Sequence, residues 1–501
     1  MKFESKQYSR VSYFVRRQDY DSTVRELLPF IAKSCNKSDF STGCLLNLPG
    51  EKKIVCTLYD ETEESIKIAR SHPMGAIIID SRNDNLKDGI EISLTGTILP
   101  ELLAGDGQNR APRRDSILVI LPDNHMTPYH AYAIGTFQIR GILLPPLNME
   151  QILKRAYNIF KPVKPGKVAI ALAGGGIEGL FWEIGVLRAL DAYLPNSSVI
   201  DFDIFSGISA GAILSAFMAN GIKPYEIANS LYGRPSRISP ITRSILFNPN
   251  VKELTRRIFA SLGDFAKGRW LTRPIDTAMK VTPSAIFSGS KLKAYLKNEL
   301  TADGMSNDFR TLNKQLYVGA TDQDKGKHVI FGTPANSYVP ISTAVRASAA
   351  MTPYYNPEKI DDRYYVDGIF TRTIDIDIAI ENGATLIICI DPLRPVQAVE
   401  SGYVSAKGGL FNTVQSVKSM IRTRLNEVIT KTEETHPHVA IHVISPTPKD
   451  MEQMSGTMMR FFYSANTENM AYVSATEQIR QRYEWLAEDF QRHNIQLKSF
   501  D

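Results

Sequence analysis

Apolar residues along this chain fall into two kinds of pattern. The first is the short, nearly unbroken run. "KIVCTL" from Lys53, "GAIIID" from Gly75 and "SILVIL" from Ser116 lie in the first third, separated by polar or helical stretches. Further on come "KVAIALA" from Lys167, "VIDFDIF" from Val199, "LYVGATD" from Leu316, "HVIFG" from His328, "ATLIICID" from Ala384 and "VAIHVIS" from Val439. Runs of this length and continuity predict strands buried on both faces, which is the environment of a parallel sheet covered by helices. The second pattern has helical spacing. Val414, Val417, Ile421, Leu425 and Val428 predict an amphipathic helix over 411–429, and "TEQIRQRYEWLAEDFQRH" makes the last fifty residues helical. The expected fold is α/β, a mostly parallel sheet sandwiched by helices, with a smaller N-terminal α/β domain and a helical C-terminal end. "KPVKPGK" from Lys161 reads as a linker. The expected divisions are 1–162, 163–450 and 451–501.

At 501 residues the chain exceeds what one core supports. Its 43% hydrophobic and 22% charged residues are those of a globular protein. No apolar run nears the roughly 20 residues of a spanning helix, and the charges scattered through the first residues predict no secretory signal. Cys35, Cys44, Cys56 and Cys389 lack disulfide or metal spacing. The expected location is cytoplasmic, with peripheral attachment to a membrane as an option. Charge sharpens that option. Residues 234–297 hold thirteen Lys/Arg against three acids, a local +10 in a chain of +5, interleaved with Phe247, Phe259, Phe265 and Trp270. Such a stretch suits an anionic membrane surface or a nucleic acid, or is simply a solvated helical face. The membrane is the reading adopted, without nucleic acid, and Arg256, Arg257, Lys267 and Arg269 are the candidate membrane-facing residues.

The chemistry concentrates in three motifs. In "ALAGGGIEGLFWEIGVLRAL" (171–190) a strand runs into three glycines and then a helix, a turn able to hold a phosphate or a developing oxyanion. Gly174, Gly176 and Gly179 also satisfy the dinucleotide spacing, and Asp201 or Asp203 could supply the ribose-binding acid. "GISAG" (207–211) is a G-x-S-x-G elbow between strand and helix, with Ser209 at its tip and Gly207 and Gly211 leaving room for the turn. That second strand running straight into a serine elbow favours the oxyanion. A serine nucleophile needs a base. None of the eight histidines lies between residues 131 and 327; His442 sits in a strand pattern, while His436 and His438 flank a proline in a loop and remain open. A carboxylate is the other route: Asp367, in "RYYVDGIF", ends a short apolar run.

Together "GGGIEG" (174–179), "GISAG" (207–211) and "DGI" (367–369) resemble the patatin-like phospholipase family over roughly 167–395, as do "VGATDQDKGKHVIF" (318–331) and "ISTAVRASAAMTPYY" (341–355). The resemblance implies an α/β sandwich and a Ser–Asp dyad with Ser209 as nucleophile and Asp367 as base. It places the oxyanion hole at the backbone N–H groups of Gly175 and Gly176, with Gly174. The implied substrate is an acyl ester of a phospholipid or lysophospholipid, and neither metal nor cofactor is needed. Two positions depart from the family: Glu178 stands where Arg or Lys is usual, and Ile369 where Gly or Ala is usual. The competing readings are a Ser-His-Asp esterase using His436 or His438, and a non-catalytic lipid- or partner-binding protein of the same fold. In the N-terminal part, "MGAIIIDSR", "SILVILPD" and residues 131–157 resemble a response-regulator receiver domain, with Asp80 at the phosphoacceptor position. Pro145-Pro146 where a receiver has a lysine implies a degenerate one that binds a protein partner without being switched.

Overall fold

A computed structural model describes residues 9–32, 39–48, 52–71, 75–85, 93–104, 112, 114–122, 137, 139, 141–159, 165–251, 255–256, 285–396, 401–436, 438–454 and 464–499. The chain forms two compact units, 1–165 with 431–438, and 166–430 with 439–501.

In the first unit β1 (Ser9–Phe14), β2 (Cys44–Leu48), β3 (Lys52–Tyr59), β4 (Ala76–Asp80), β5 (Ile117–Ile120) and β6 (Gly141–Leu143) form one sheet in the order β2-β3-β1-β4-β5-β6. All neighbours are parallel except β2 and β3. The five parallel strands therefore follow the flavodoxin-like doubly wound order, with one antiparallel strand added at the edge. Successive residues serve opposite cores. Tyr13 and Ile78 pack with Ile152 on one face, and Phe14, Ile77 and Ile79 pack with Ile98 on the other. That double burial is why the sequence runs were unbroken. Cys44 and Cys56 face each other across β2 and β3 as buried thiols that form no disulfide. Asp80 ends β4 with its carboxylate taken up internally: the Tyr13 hydroxyl donates to it at 2.7 Å and Arg82 Nε at 3.0 Å.

The second unit carries β7 (Lys167–Leu172), β8 (Ile204–Ile208), β9 (Gln315–Asp322), β10 (Lys327–Phe331), β11 (Glu358–Ile360), β12 (Arg363–Asp367), β13 (Ala384–Ile390) and β14 (Ala440–Ile444). The order is β11-β12-β9-β8-β7-β13-β14, with β10 on β9. β9, β8, β7, β13 and β14 are parallel; β10, β11 and β12 form an antiparallel margin. The strand expected from Val199 begins only at Ile204. The Asp191 carboxylate accepts from the Ser198 hydroxyl at 2.5 Å and the Val199 N–H at 2.9 Å, which winds Val199–Asp201 into a 3-10 turn.

Helix Gly176–Ala192 is buried almost all round. Helix Ser464–Gln481 lies so close to it that a Cβ at Gly185 would fall 2.3 Å from the Glu468 carbonyl oxygen. Glu468 is also tied to Arg188 and to the Tyr232 hydroxyl. The C-terminal helices thus pack inside the second unit. Helix Gly409–Thr435 extends the amphipathic stretch read from the sequence, and Ile421 packs with Ile208, Ile369 and Leu393.

Candidate active site

Sheet register brings the three motifs together. β7 and β8 are parallel neighbours with Leu172 opposite Gly207, so the glycine loop and the elbow leave the same edge side by side. Ile208 pairs with Gly319 on β9, and the next residue, Ala320, pairs with Asp367 at the end of β12. Ser209 and Asp367, 158 positions apart, therefore meet at the carboxyl ends of the parallel strands, where open α/β sheets bind ligands.

Ser209 has φ 56° and ψ −117°, a conformation unfavourable for a residue with a side chain and held only because its surroundings fix it. Its N–H donates to Ser348 Oγ at 2.8 Å, and the Ser348 hydroxyl donates to the Gly319 carbonyl at 2.6 Å. Ser348 is fully buried and anchors the elbow to β9. The glycines either side are needed because the turn folds back on itself. A Cβ at Gly207 would lie 2.4 Å from the Gly211 carbonyl oxygen, and one at Gly211 2.7 Å from that of Ala173.

The glycine loop presses on the serine. A Cβ at Gly174 would approach Ser209 Cβ to 2.9 Å, and one at Gly175 would strike Pro392 Cγ at 2.5 Å. Gly176 opens the following helix at φ 62°. First-turn N–H groups have no partner within their own helix, and with the dipole they favour negative charge. N–H groups so placed are able to stabilise an oxyanion.

Asp367 is fully buried. Burial pushes its carboxyl up to about 7, opposed by the Ser209 hydroxyl and the Ile369 N–H, which donates to Oδ1 at 3.0 Å. Ser209 thus faces the carboxyl, although Oδ2 makes no hydrogen bond of ordinary geometry. A catalytic contact that is loose in the free enzyme commonly tightens only with substrate. As the base that the sequence implies, Asp367 would act in its carboxylate form, and kcat/KM would then rise with pH and reach half its plateau near 7. A flat pH–rate profile from 5.5 to 8.5 would remove Asp367 from that role.

Glu178, the acidic departure in the loop, does not face the site uncompensated. It is buried, and Lys418 on helix Gly409–Thr435 is buried within its electrostatic reach and that of Asp391. Asp391 hydrogen-bonds the Leu393 N–H around Pro392 and lies 3.5 Å from Arg422. Burial, with Asp391 nearby, raises the Glu183 carboxyl well above the usual range. Neither Glu183 oxygen has a hydrogen-bond partner among the described residues. Ser348, Lys418 and the Glu183–Asp391 pair were not read from the sequence. Their only signal was polarity inside otherwise small or apolar patterns, helical for Ser348, Lys418 and Glu183 and at a strand end for Asp391.

Of the remaining sequence candidates, Asp201, Asp203 and His442 are engaged by other partners. The Asp203 carboxylate accepts from the Val168 N–H at 2.9 Å, and Asp201 caps its own turn, so both serve the backbone rather than a ribose. His436 and His438 fall in the first unit, Ser209 and Asp367 in the second. His442 is held at 2.8 Å by Asp489 in the core. Arg256 is exposed; Arg257, Lys267 and Arg269 lie outside the described residues. Among the described residues no group of three or more His, Cys, Asp or Glu could hold a metal ion, and no helix is long and apolar enough to cross a membrane.

Known proteins share this region. The chain is 24% identical over 212 residues to the probable lipid hydrolase 463L of Invertebrate iridescent virus 6, covering 42% of this chain and 63% of that protein. It is 26% identical over 205 residues to a cGAMP-activated phospholipase of Pseudomonas aeruginosa, covering 40% and 51%. The match thus spans between about half and two thirds of these relatives. The solved structure of VipD from Legionella pneumophila aligns over 62% of this chain and 66% of that one, at 14% identity and a TM-score of 0.28. The family model described as patatin-like phospholipase matches residues 170–380, the stretch that holds the glycine loop, the elbow and Asp367. Residues 170–380 form a patatin-like phospholipase domain.

Proposed function

We propose that this protein is a lipid acyl hydrolase that cleaves acyl esters of phospholipids or lysophospholipids through a Ser209–Asp367 dyad. The observation that carries the reading is the conjunction of a strained Ser209, a fully buried Asp367 facing it, and a glycine loop in contact with the serine. Ser209 Oγ attacks the ester carbonyl while its proton passes to Asp367. The carbonyl oxygen becomes an oxyanion, which the N–H groups of Gly174, Gly175 and Gly176 stabilise. Collapse of the tetrahedral intermediate expels the alcohol, which takes the proton from Asp367, and leaves an acyl-serine. Water gives a proton to Asp367 and attacks the acyl carbonyl; collapse of the second tetrahedral intermediate breaks the bond to Ser209 Oγ, which takes that proton back from Asp367, and the fatty acid leaves.

The curated relatives named lipid hydrolase and phospholipase support the substrate class. The basic stretch 234–297 would hold the protein against anionic lipid, at about 1 kcal/mol for each basic residue that reaches the surface. The first unit, with Asp80 already engaged by Tyr13 and Arg82, is proposed as a protein-binding module rather than a phosphorylation switch. The direct test is a panel of phospholipid and lysophospholipid vesicles assayed for released fatty acid, with Ser209→Ala as control. Release by the wild type alone is expected. Equal release by the control, or none from any lipid, would contradict the assignment.

A further inference from the structure

We propose that His328, held by Asp375, is a positioning residue for the turn that carries Asp367, acting through the hydroxyls of Thr371 and Thr321. The proposal rests on the dyad reading above and adds to it a group that touches neither substrate nor the reacting atoms.

His328 lies on β10 opposite Thr321 of β9. Its Nε2 is 2.8 Å from Asp375 Oδ1 and its Nδ1 is 3.0 Å from Thr371 Oγ1. Both ring nitrogens are therefore engaged, and the ring has no free nitrogen to take a proton from Ser209. From Thr371 the contacts run towards the dyad. Thr371 Oγ1 is 2.8 Å from Thr321 Oγ1, and the Thr321 hydroxyl donates to the Asp367 carbonyl at 2.9 Å. The Thr371 hydroxyl also lies 3.3 Å from the Gly368 carbonyl oxygen. Asp375 is nearly fully buried, and its own carbonyl accepts from the Ser206 hydroxyl on β8, three residues before the nucleophile.

One residue links this group to the elbow. A Cβ at Gly319 would fall 2.2 Å from Asp375 Oδ2 and 2.9 Å from His328 Cε1, so only glycine lets the pair approach β9 so closely. The Gly319 carbonyl is also what holds Ser348, and through it the Ser209 N–H. The His328–Asp375 pair thus braces both arms of the dyad from behind: the elbow through Gly319 and the Asp367 turn through two threonines. Both ring nitrogens of His328 and the hydroxyls of Thr371 and Thr321 have partners within this largely buried chain, and linked buried hydrogen bonds fix geometry more firmly than the separate bonds suggest. A displacement of about 1 Å at a reacting group can cost about a hundredfold in rate.

Thr371→Val keeps the side-chain shape and removes the hydroxyl, Thr371→Ser keeps the hydroxyl, and His328→Leu removes the ring contacts. On a small soluble ester, Thr371→Val and His328→Leu should each lower kcat about 10- to 100-fold with KM within about twofold. Thr371→Ser should stay within about threefold of wild type. The double variant Thr371→Val/His328→Leu should be no slower than its slower parent, because both break one chain. Full kcat in Thr371→Val, a loss that tracks a lowered Tm and is not restored by serine, or losses that multiply in the double variant would each overturn the proposal. A Ser209→Ala control that stays active would instead overturn the site assignment, so the two failures are distinguishable.

Discussion

Ser209→Ala and Asp367→Asn are each expected to lower turnover of acyl esters by about 10³- to 10⁶-fold, because removing one member of a unit that acts together removes most of the rate. The two variants should differ in stability. Asp367 is fully buried, and its folded-state pKa is raised to about 7 from the ordinary 3.8. A raised value means that the folded protein holds this proton more tightly than the unfolded chain does. The associated stability is fully present below pH about 4 and is lost as pH rises through 7. At pH 8 the wild type bears the cost of a buried carboxylate, whereas asparagine is neutral. Asp367→Asn should therefore be more stable than wild type at pH 8, by roughly 2–4 kcal/mol, and this gain should fade towards pH 5. Thermal unfolding at both pH values checks it. A lower Tm at pH 8 would mean that the carboxyl is not held there against a desolvation cost.

Gly175→Ala should lower kcat by about 10²- to 10³-fold, the scale of losing oxyanion stabilisation. The added methyl would sit 2.5 Å from Pro392 Cγ and 2.7 Å from Gly179 Cα, distances at which atoms must move. Pro392 is a ring followed by a residue tied down through Asp391, and Gly179 Cα is backbone inside a buried helix. The loop is the part that can yield, and it carries the oxyanion donors away from Ser209. Gly409→Ala is the matching control: at Gly409 a Cβ meets nothing within 4 Å, and the residue begins a helix. Steady-state kinetics on a soluble ester should show the loss in the first variant and none in the second. Similar rates for both would mean that the glycine loop does not stabilise the transition state.

The sequence revealed the site wherever the chemistry demands a backbone conformation that few residues adopt. Gly174–Gly176, Gly207, Gly211 and the Asp367-Gly368 turn belong to that class, since a close approach or a tight turn leaves a compositional mark. Unbroken apolar runs likewise marked β4, β7 and β13, which are buried on both faces. What the sequence hid depends on distant pairing. Ser348 looks like one small residue among alanines until its hydroxyl is placed between Ser209 and Gly319. Glu178 reads as a charge spoiling an anion site until Lys418, 240 residues on, is placed beside it. "VIDFDIF" was apolar enough for a strand from its first residue, but the Asp191 carboxylate captured the backbone at Val199. His328 lies 119 residues beyond Ser209 in sequence, and only the pairing of β9 with β10 brings it behind the Asp367 turn.

The central claim is that Ser209 is an activated nucleophile, and covalent labelling tests it most directly. The wild-type protein would be treated with a fluorophosphonate and digested, and the modified peptide located by mass spectrometry. The expected result is a single adduct on Ser209, with parallel loss of ester hydrolysis and no adduct in Ser209→Ala. An unlabelled Ser209 in protein that still hydrolyses lipid, or an adduct on another residue that accounts for the lost activity, would contradict the account.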